Sequence, residues 1–257
     1  LMSETLTNQE LIEVLEARSG MVCLVGAGGK KTTLYRLASI HPGQVGVTST
    51  VAIPPFPETL AACKVIAEGS VLLTQVVEAA AHARVVAFAR PSIKPGRLGG
   101  LESAEIAAIQ AALTFDVILV KADGARSRRI KSPGLEEPRI PKEATTVIPV
   151  VSAHAIGEPL SERIAHRVDR LASVLNIRPG DSLTANHIAQ LLASDQGMLK
   201  GVGKAKVVPL INGVDSPAIK QAAWEAAEQA LALSSRFDRV VLACMRHPNP
   251  LVGVVGR

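Results

Sequence analysis

The stretch Met21-Val22-Cys23-Leu24-Val25-Gly26-Ala27-Gly28-Gly29-Lys30-Lys31-Thr32-Thr33 decides how this chain is read. Its first five residues are continuously apolar, as in a parallel strand buried on both faces. Three glycines among the next four residues allow a sharp turn and close approach of a ligand to the backbone. A helical segment from Thr32 to Ser39 follows, and a helix start offers unpaired N–H groups and the positive end of its dipole. A lysine at such a place neutralises phosphate charge, and a threonine hydroxyl can ligate Mg²⁺. The expectation is a phosphate loop in which Gly26, Ala27, Gly28, Gly29, Lys30, Lys31, Thr32 and Thr33 hold ATP or GTP. Within it Lys30 and Lys31 are the catalytic candidates and Thr32 a metal ligand. The strict pattern G-x-x-x-x-G-K-[ST] is not met. Counted from Lys30, the first position is Leu24 and the residue after the lysine is Lys31; counted from Lys31, a lysine stands where glycine belongs. Which lysine takes the central role stays open, beside the plainer reading of a glycine-rich turn with two solvated lysines.

Working outward, Thr7-Asn8-Gln9-Glu10 reads as a capping box for a helix to about Arg18. After the phosphate loop, strands are expected at 44–50, 84–89, 115–121, 145–151, 206–211 and 238–243. Helices are expected at 70–83, 102–113, 161–175, 184–194 and 217–233. Pro54, Pro55 and Pro57 impose an irregular loop, as does the Gly/Pro-rich segment 93–100. Alternating strands and helices predict an α/β fold with an open, mostly parallel sheet flanked by helices, of the P-loop NTPase-like kind. The chain reads as one such domain over 1–257, with a helical insertion around 155–203. Ligands of such sheets bind beyond the carboxyl ends of the strands, and the chemically loaded residues fall just there.

The composition is consistent with this. The 257 residues are 47% hydrophobic but only 2% aromatic, so the core must be built of Ala, Val, Leu and Ile. The net charge of +5 is spread along the chain, and its densest basic knot, Arg126 to Lys131, has no interleaved aromatics for base stacking. A nucleic-acid partner is therefore not expected. Three cysteines at long spacings imply no disulfide framework. No basic segment followed by an apolar run opens the sequence, and no apolar stretch reaches membrane-spanning length, so a cytoplasmic protein without a membrane partner is expected.

Two further segments carry chemistry. Phe115 to Lys121 is an apolar strand followed by Ala122-Asp123-Gly124, where an acid would hold Mg²⁺ directly or through water. Asp123 is thus a catalytic and metal candidate, or a residue that only caps the turn. Arg126, Arg128, Arg129 and Lys131 follow and could meet phosphate, an acidic partner or solvent. Asn212-Gly213-Val214-Asp215 resembles the guanine-reading N-K-x-D, with Gly213 in the lysine's place; Asn212 and Asp215 are base-binding candidates, or an ordinary turn. Cys244-Met245-Arg246-His247 has a ligand-like spacing, but one pair cannot fill a tetrahedral site. His154 and His166 read as loop or helix-face residues.

Several segments taken together resemble the selenium-dependent hydroxylase accessory protein family, often labelled YqeC. They are Val25 to Lys30, Val120 to Arg126, Lys131-Ser132-Pro133, Glu137 to Pro141, Ala155 to Leu160, His166-Arg167-Val168, Gly197 to Gly201 and Asn212 to Asp215. They span residues 20 to 255 in the family's order. The family usually has Gly-Gly-Lys-Thr, Glu before Ala-Asp-Gly-Ala, and often Asn-Lys-x-Asp; here Lys31, Lys121 and Gly213 depart from it. The resemblance implies a P-loop-like protein linked to the maturation of molybdenum hydroxylases that depend on labile selenium; joined to the loop residues, the expectation is an NTP-binding, Mg²⁺-dependent accessory protein that hydrolyses the nucleotide. Its partners would be such a hydroxylase or its cofactor-assembly proteins. The alternatives are an NTP-dependent ligase or kinase acting on a small acid, and a non-catalytic binder of a nucleotide-bearing molybdenum cofactor.

Overall fold

The computed structural model describes residues 2–257, with side chains from Asn8 onward. Strands β1 (Gly20–Gly26), β2 (Val45–Ser49), β3 (Cys63–Ile66), β4 (Val85–Ala89), β5 (Val117–Lys121), β7 (Thr146–Ser152), β9 (Lys206–Val207), β10 (Leu210–Asn212), β11 (Arg239–Ala243) and β12 (Leu251–Gly256) form one sheet. A short parallel pair, β6 (Ile130–Lys131) with β8 (Ala165–His166), lies outside it. The order across the main sheet is β12-β11-β10-β7-β1-β5-β2-β4-β3, with β9 also on β7. Every pairing is parallel except β11 with β12. The sheet is thus open and mostly parallel, with β1 at its centre between β5 and β7.

Seven helices among the described residues cover the two faces: α1 (Met2–Val14), α2 (Lys30–Ile40), α3 (Gly69–Ala80), α4 (Ser103–Ala112), α5 (Val168–Leu175), α6 (Ala185–Ala193) and α7 (Pro217–Leu233). The alternation of side chains along β1 shows how. Val22 and Leu24 join a core with Leu11 of α1 and with Leu34 and Leu37 of α2. Met21, Cys23 and Val25 face the opposite core, built with Leu72, Ile106, Leu171, Ile188 and Ala227 from α3 to α7. Both faces being covered explains the unbroken apolar runs of β1 and β5. With so few aromatics, packing relies on close approach: α7 buries Ala223, Ala226, Ala227 and Ala230 on the side that meets α6. The insertion helices α5 and α6 contribute to the same core as the sheet.

Several expected boundaries shift. The first helix begins at Met2, so the box at Thr7 lies within the helix and not at its start, and it ends at Val14, short of Arg18. The phosphate-loop helix begins at Lys30, two residues early. The expected strand 206–211 is interrupted at Val208-Pro209, where proline has no N–H to give β7. Of the expected helix 161–175 only Val168–Leu175 forms; the preceding residues turn and then pair as β8 with β6. The edge strands β3 and β12 were not anticipated. Among the described residues no helix is long and apolar enough to cross a membrane.

Candidate functional site

The parallel sheet brings the carboxyl ends of β1, β2, β5, β7 and β10 to one edge. There the chain leaves β1 toward β2 on one side, while β7 and β10 extend the sheet on the other. Such a reversal opens a crevice where α/β sheets bind ligands. Gly26 closes β1, and Gly26, Gly28 and Gly29 have φ of 91°, 86° and 134°, a region costly for any residue with a Cβ. At Gly29 an added Cβ would lie 2.1 Å from the Asn212 amide nitrogen, so only glycine fits. The loop is held from outside: Ala27 N–H donates to Val150 O (2.8 Å), Gly28 N–H to Arg128 O (2.9 Å), and Asn212 Nδ2 to Gly28 O (2.8 Å). No hydrogen bond among the described residues engages the amides of Gly29, Lys30, Lys31 and Thr32, the orphan donors at the start of α2.

The two lysines part company. Lys30 turns inward and is 5% exposed; its ammonium donates to Gly26 O and lies 2.9 Å from Asp123 Oδ1. Burial lowers its pKa, and the adjacent Asp123 carboxylate opposes that fall. Lys31 remains half-buried. Thr33 is fully buried with its hydroxyl donating to Gly29 O (3.0 Å), whereas Thr32 is half-buried and makes no side-chain hydrogen bond to the described residues.

Asp123 follows β5 directly, 1% exposed. Its Oδ2 accepts from Gly26 N–H at 2.9 Å and lies 3.0 Å from the Lys131 ammonium. Its Oδ1 faces Lys30 but outside hydrogen-bond geometry, so one lone pair stays open. The carboxylate is therefore enclosed by two ammonium groups and a loop amide. From Lys131, which has no exposure at all, the chain of charges continues to Glu137 Oε2 (2.6 Å) and on to Arg167 Nη1 (2.7 Å). Burial would raise the Glu137 pKa, but hydrogen bonds from Arg167, Lys131 and Gly134 hold it at about 2. Lys121, also buried, points its ammonium at Ala52 O (3.3 Å). Burial first, then the neighbouring Lys30 charge, push its pKa down to about 7 against the pull of Asp123. His166 is held neutral by burial and by Arg167, Lys131 and Arg126, with a pKa near 4. Among the described residues Lys30, Lys131 and Arg167 pair only with the carboxylates of Asp123 and Glu137, and Lys121 pairs with none, a cluster with surplus positive charge.

Sequence reasoning missed most of this cluster. Lys121 and Lys131 are visible as charges, but nothing local marks them as buried, and Glu137 and Arg167 stand out only as parts of segments that carry the family resemblance. The basic knot separates: Arg129 binds His154 O (2.8 Å) and Glu158 (3.1 Å), Lys131 is sealed inside, and Arg126 is exposed. A signal did exist in the backbone, since Arg126, Ser127 and Arg167 have φ of 47°, 57° and 65° around the same site.

Asn212 and Asp215 also lie at this edge. The Asn212 carboxamide is engaged at both ends, giving Nδ2 to Gly28 O and accepting at Oδ1 from Met245 N–H (3.0 Å). Asp215 is half-exposed and pairs at Oδ2 with His154 Nε2 at 2.9 Å. The three cysteines are free, and among the described residues no group of three or more His, Cys, Asp or Glu gathers to hold a metal ion.

Comparison with known proteins places the chain. It is 29% identical over 192 residues to the uncharacterized protein YqeC of Escherichia coli (strain K12), covering 73% of each chain. A crystal structure of HypB from Helicobacter pylori in complex with nickel aligns with 96% of this chain and 88% of its own, at 12% identity and a TM-score of 0.39. The family described as YqeC protein matches residues 22–169, more than half of the sequence, and with the phosphate loop, Asp123 and the Lys131–Arg167 segment inside that span, the chain belongs to the YqeC family.

Proposed function

We propose that the protein binds a nucleoside triphosphate, ATP or GTP, at the start of α2 and hydrolyses it as an accessory factor in the maturation of selenium-dependent molybdenum hydroxylases. The observation that carries the nucleotide reading is the set of free amides of Gly29, Lys30, Lys31 and Thr32 beside a buried lysine at the end of the central strand. Amides aimed from a helix start hold phosphate oxygens, and a lysine with little solvent neutralises charge that grows in phosphoryl transfer. Lys30 takes this role because it already lies inside the loop, resting on Gly26 O and Asp123 until phosphate replaces them. Lys31 guides the anion from outside.

The magnesium expectation fits best at Thr32, whose hydroxyl is free; at Asp123 Oδ2 is taken by Gly26 N–H and Lys131, and Oδ1, though without a hydrogen-bond partner, faces the Lys30 ammonium, whose charge opposes a cation. When bound with nucleotide, the ion would neutralise β and γ oxygens, with Thr32 as its protein ligand. Asp123 instead orients Lys30 and ties the loop to the charge chain. Asp215 would read the base, because one of its oxygens remains open for donors such as guanine N1 and N2. The link to a molybdenum hydroxylase or its assembly proteins rests on the family resemblance.

The test is a melting curve with Mg²⁺-ATP and Mg²⁺-GTP. A ligand at about 100 times its Kd stabilises the native state by roughly 2.7 kcal/mol. The shift should vanish when Lys30 and Lys31 are both replaced by Ala. If neither triphosphate at millimolar concentration moves the curve, the proposal is wrong.

A further inference from the structure

Beside the phosphate loop lies a cleft of about 660 Å³ between the turn at Val51-Ala52 and the segment Gly134 to Arg139. Its size suits a small molecule. Three guanidinium groups line it, those of Arg139, Arg167 and Arg170. Two acids also line it, and they offset the three arginines only in part. Glu137 is already spent on Lys131 and Arg167, and Glu136 stands 3.8 Å from Arg139 with both side chains largely in solvent. The Arg170 Nε is shielded from solvent and has no hydrogen-bond partner among the described residues. No carboxylate among the described residues pairs with the Arg170 guanidinium, which leaves its charge available to an anion.

The walls are built to present these groups. Arg167 holds a left-handed backbone, φ 65°, at the start of α5. Its guanidinium passes so close to position 134 that a Cβ there would lie 2.8 Å from Nη2, so Gly134 is the notch that admits it. Lys200, from the insertion, donates to Gly134 O and Leu135 O and fixes the same segment. The floor touches the nucleotide side, since Lys121 donates to Ala52 O while its charge interacts with those of Lys30 and Lys31.

We propose that this cleft binds a second ligand, a small molecule bearing carboxylate or phosphate groups, gripped by Arg139, Arg167 and Arg170 next to the phosphate loop. Planar guanidinium forks match both oxyanions. The ligand would sit at the far end of the chain Lys30–Asp123–Lys131–Glu137–Arg167, beside the phosphate loop but held by groups of its own. The inference adds a second substrate class to the nucleotide reading, but it stands on its own residues.

Calorimetric titration without nucleotide decides it, with citrate as the carboxylate probe and inorganic pyrophosphate as the phosphate probe. At least one should bind at millimolar concentration or below. Arg170→Ala and Arg139→Ala should each weaken that probe about tenfold or more, the usual scale for a charged hydrogen bond. The Lys30/Lys31 double alanine variant should bind it with little change while losing Mg²⁺-ATP and Mg²⁺-GTP. Which probe binds tells carboxylate from phosphate. Binding that survives both arginine variants, or that is lost with the lysines, assigns the anion to the phosphate loop and overturns the proposal, as does no binding of either probe. A wild type that binds a probe in the cleft but no triphosphate would sink the nucleotide reading alone.

Discussion

Replacing Asp123 by Asn tests the core of the site, because it removes one charge and almost no volume. In the native protein this carboxylate lies 2.9 Å from Lys30 and 3.0 Å from Lys131, whose side chains are 4% and 0% exposed. An Asn oxygen can still accept from Gly26 N–H, so that hydrogen bond is kept. What goes is the countercharge of two buried ammonium groups, with Lys121 close by and only Glu137 remaining. Breaking a buried ion pair from one side costs about 3–5 kcal/mol. Against a total stability of roughly 5–15 kcal/mol, that is a large share, worth roughly 6–20 °C in Tm at this chain length. Urea unfolding at pH 7, followed through Trp224, the one tryptophan, measures it directly. Lys30→Met in the Asp123→Asn background should recover about 1–2 kcal/mol, because Asp123 is the one carboxylate paired with Lys30 among the described residues and the substitution removes an orphaned charge. The same carboxylate acting as a metal ligand predicts another pattern: normal apo stability and a loss confined to the Mg²⁺ dependence of nucleotide binding. An Asp123→Asn variant within about 1 kcal/mol of wild type, or a Lys30→Met substitution in that background that only adds further loss, refutes the charge-chain account.

Other outcomes follow from the same geometry. The Lys121 pKa of about 7 lies below the unfolded value near 10.4, so between those limits the unfolded chain binds the extra proton and stability rises with pH, by up to ~1.4 kcal/mol per pH unit. Lys30, also lowered, adds to this trend, so Lys121→Met should flatten the rise between pH 7 and 10 without abolishing it; an unchanged slope counts against a buried Lys121. Glu137, held at about 2, contributes stability above its unfolded pKa near 4.3 that is lost as pH falls toward 2, so Glu137→Gln should weaken the protein at pH 7 and blunt its acid unfolding transition. Asp215→Ala should reduce GTP binding and leave ATP nearly unchanged in a titration of both, whereas equal losses would make Asn212 to Asp215 a turn and nothing more.

How much of this was legible follows from the range of the interactions. The central strand, the glycine loop and the alternation that predicts a parallel sheet are local patterns, and β1, α2 and β5 form close to where the sequence puts them. The edge strand β3 was illegible because Cys63-Lys64-Val65-Ile66 buries only Val65 and shows neither an apolar run nor alternation. β12 contains two glycines and is mostly half-exposed, so it reads as a tail. The helix expected from Ser161 loses its first half to a pairing with Ile130-Lys131, a contact no local period reveals. In the site, Asp123 was found because it ends a strand, but its role depends on Lys131, Glu137 and Arg167, which only the folded chain brings together. Charges such as Lys121 and Lys131 look like solvated surface until burial is known.

The contact between Asn212 and the phosphate loop has a consequence for how the sequence can drift. Position 29 has no room for a side chain while position 212 carries a carboxamide, and that carboxamide also holds Met245 N–H, at the end of a third strand. Residues 29 and 212 therefore cannot vary independently, although 183 positions separate them. A lineage that acquires alanine at 29 must first shorten 212, and in doing so frees both the Gly28 carbonyl and the turn after β11. The order of substitution is constrained, with the distal change coming before the one in the loop. Among relatives, a side chain at 29 should thus be found only where residue 212 is shorter than asparagine.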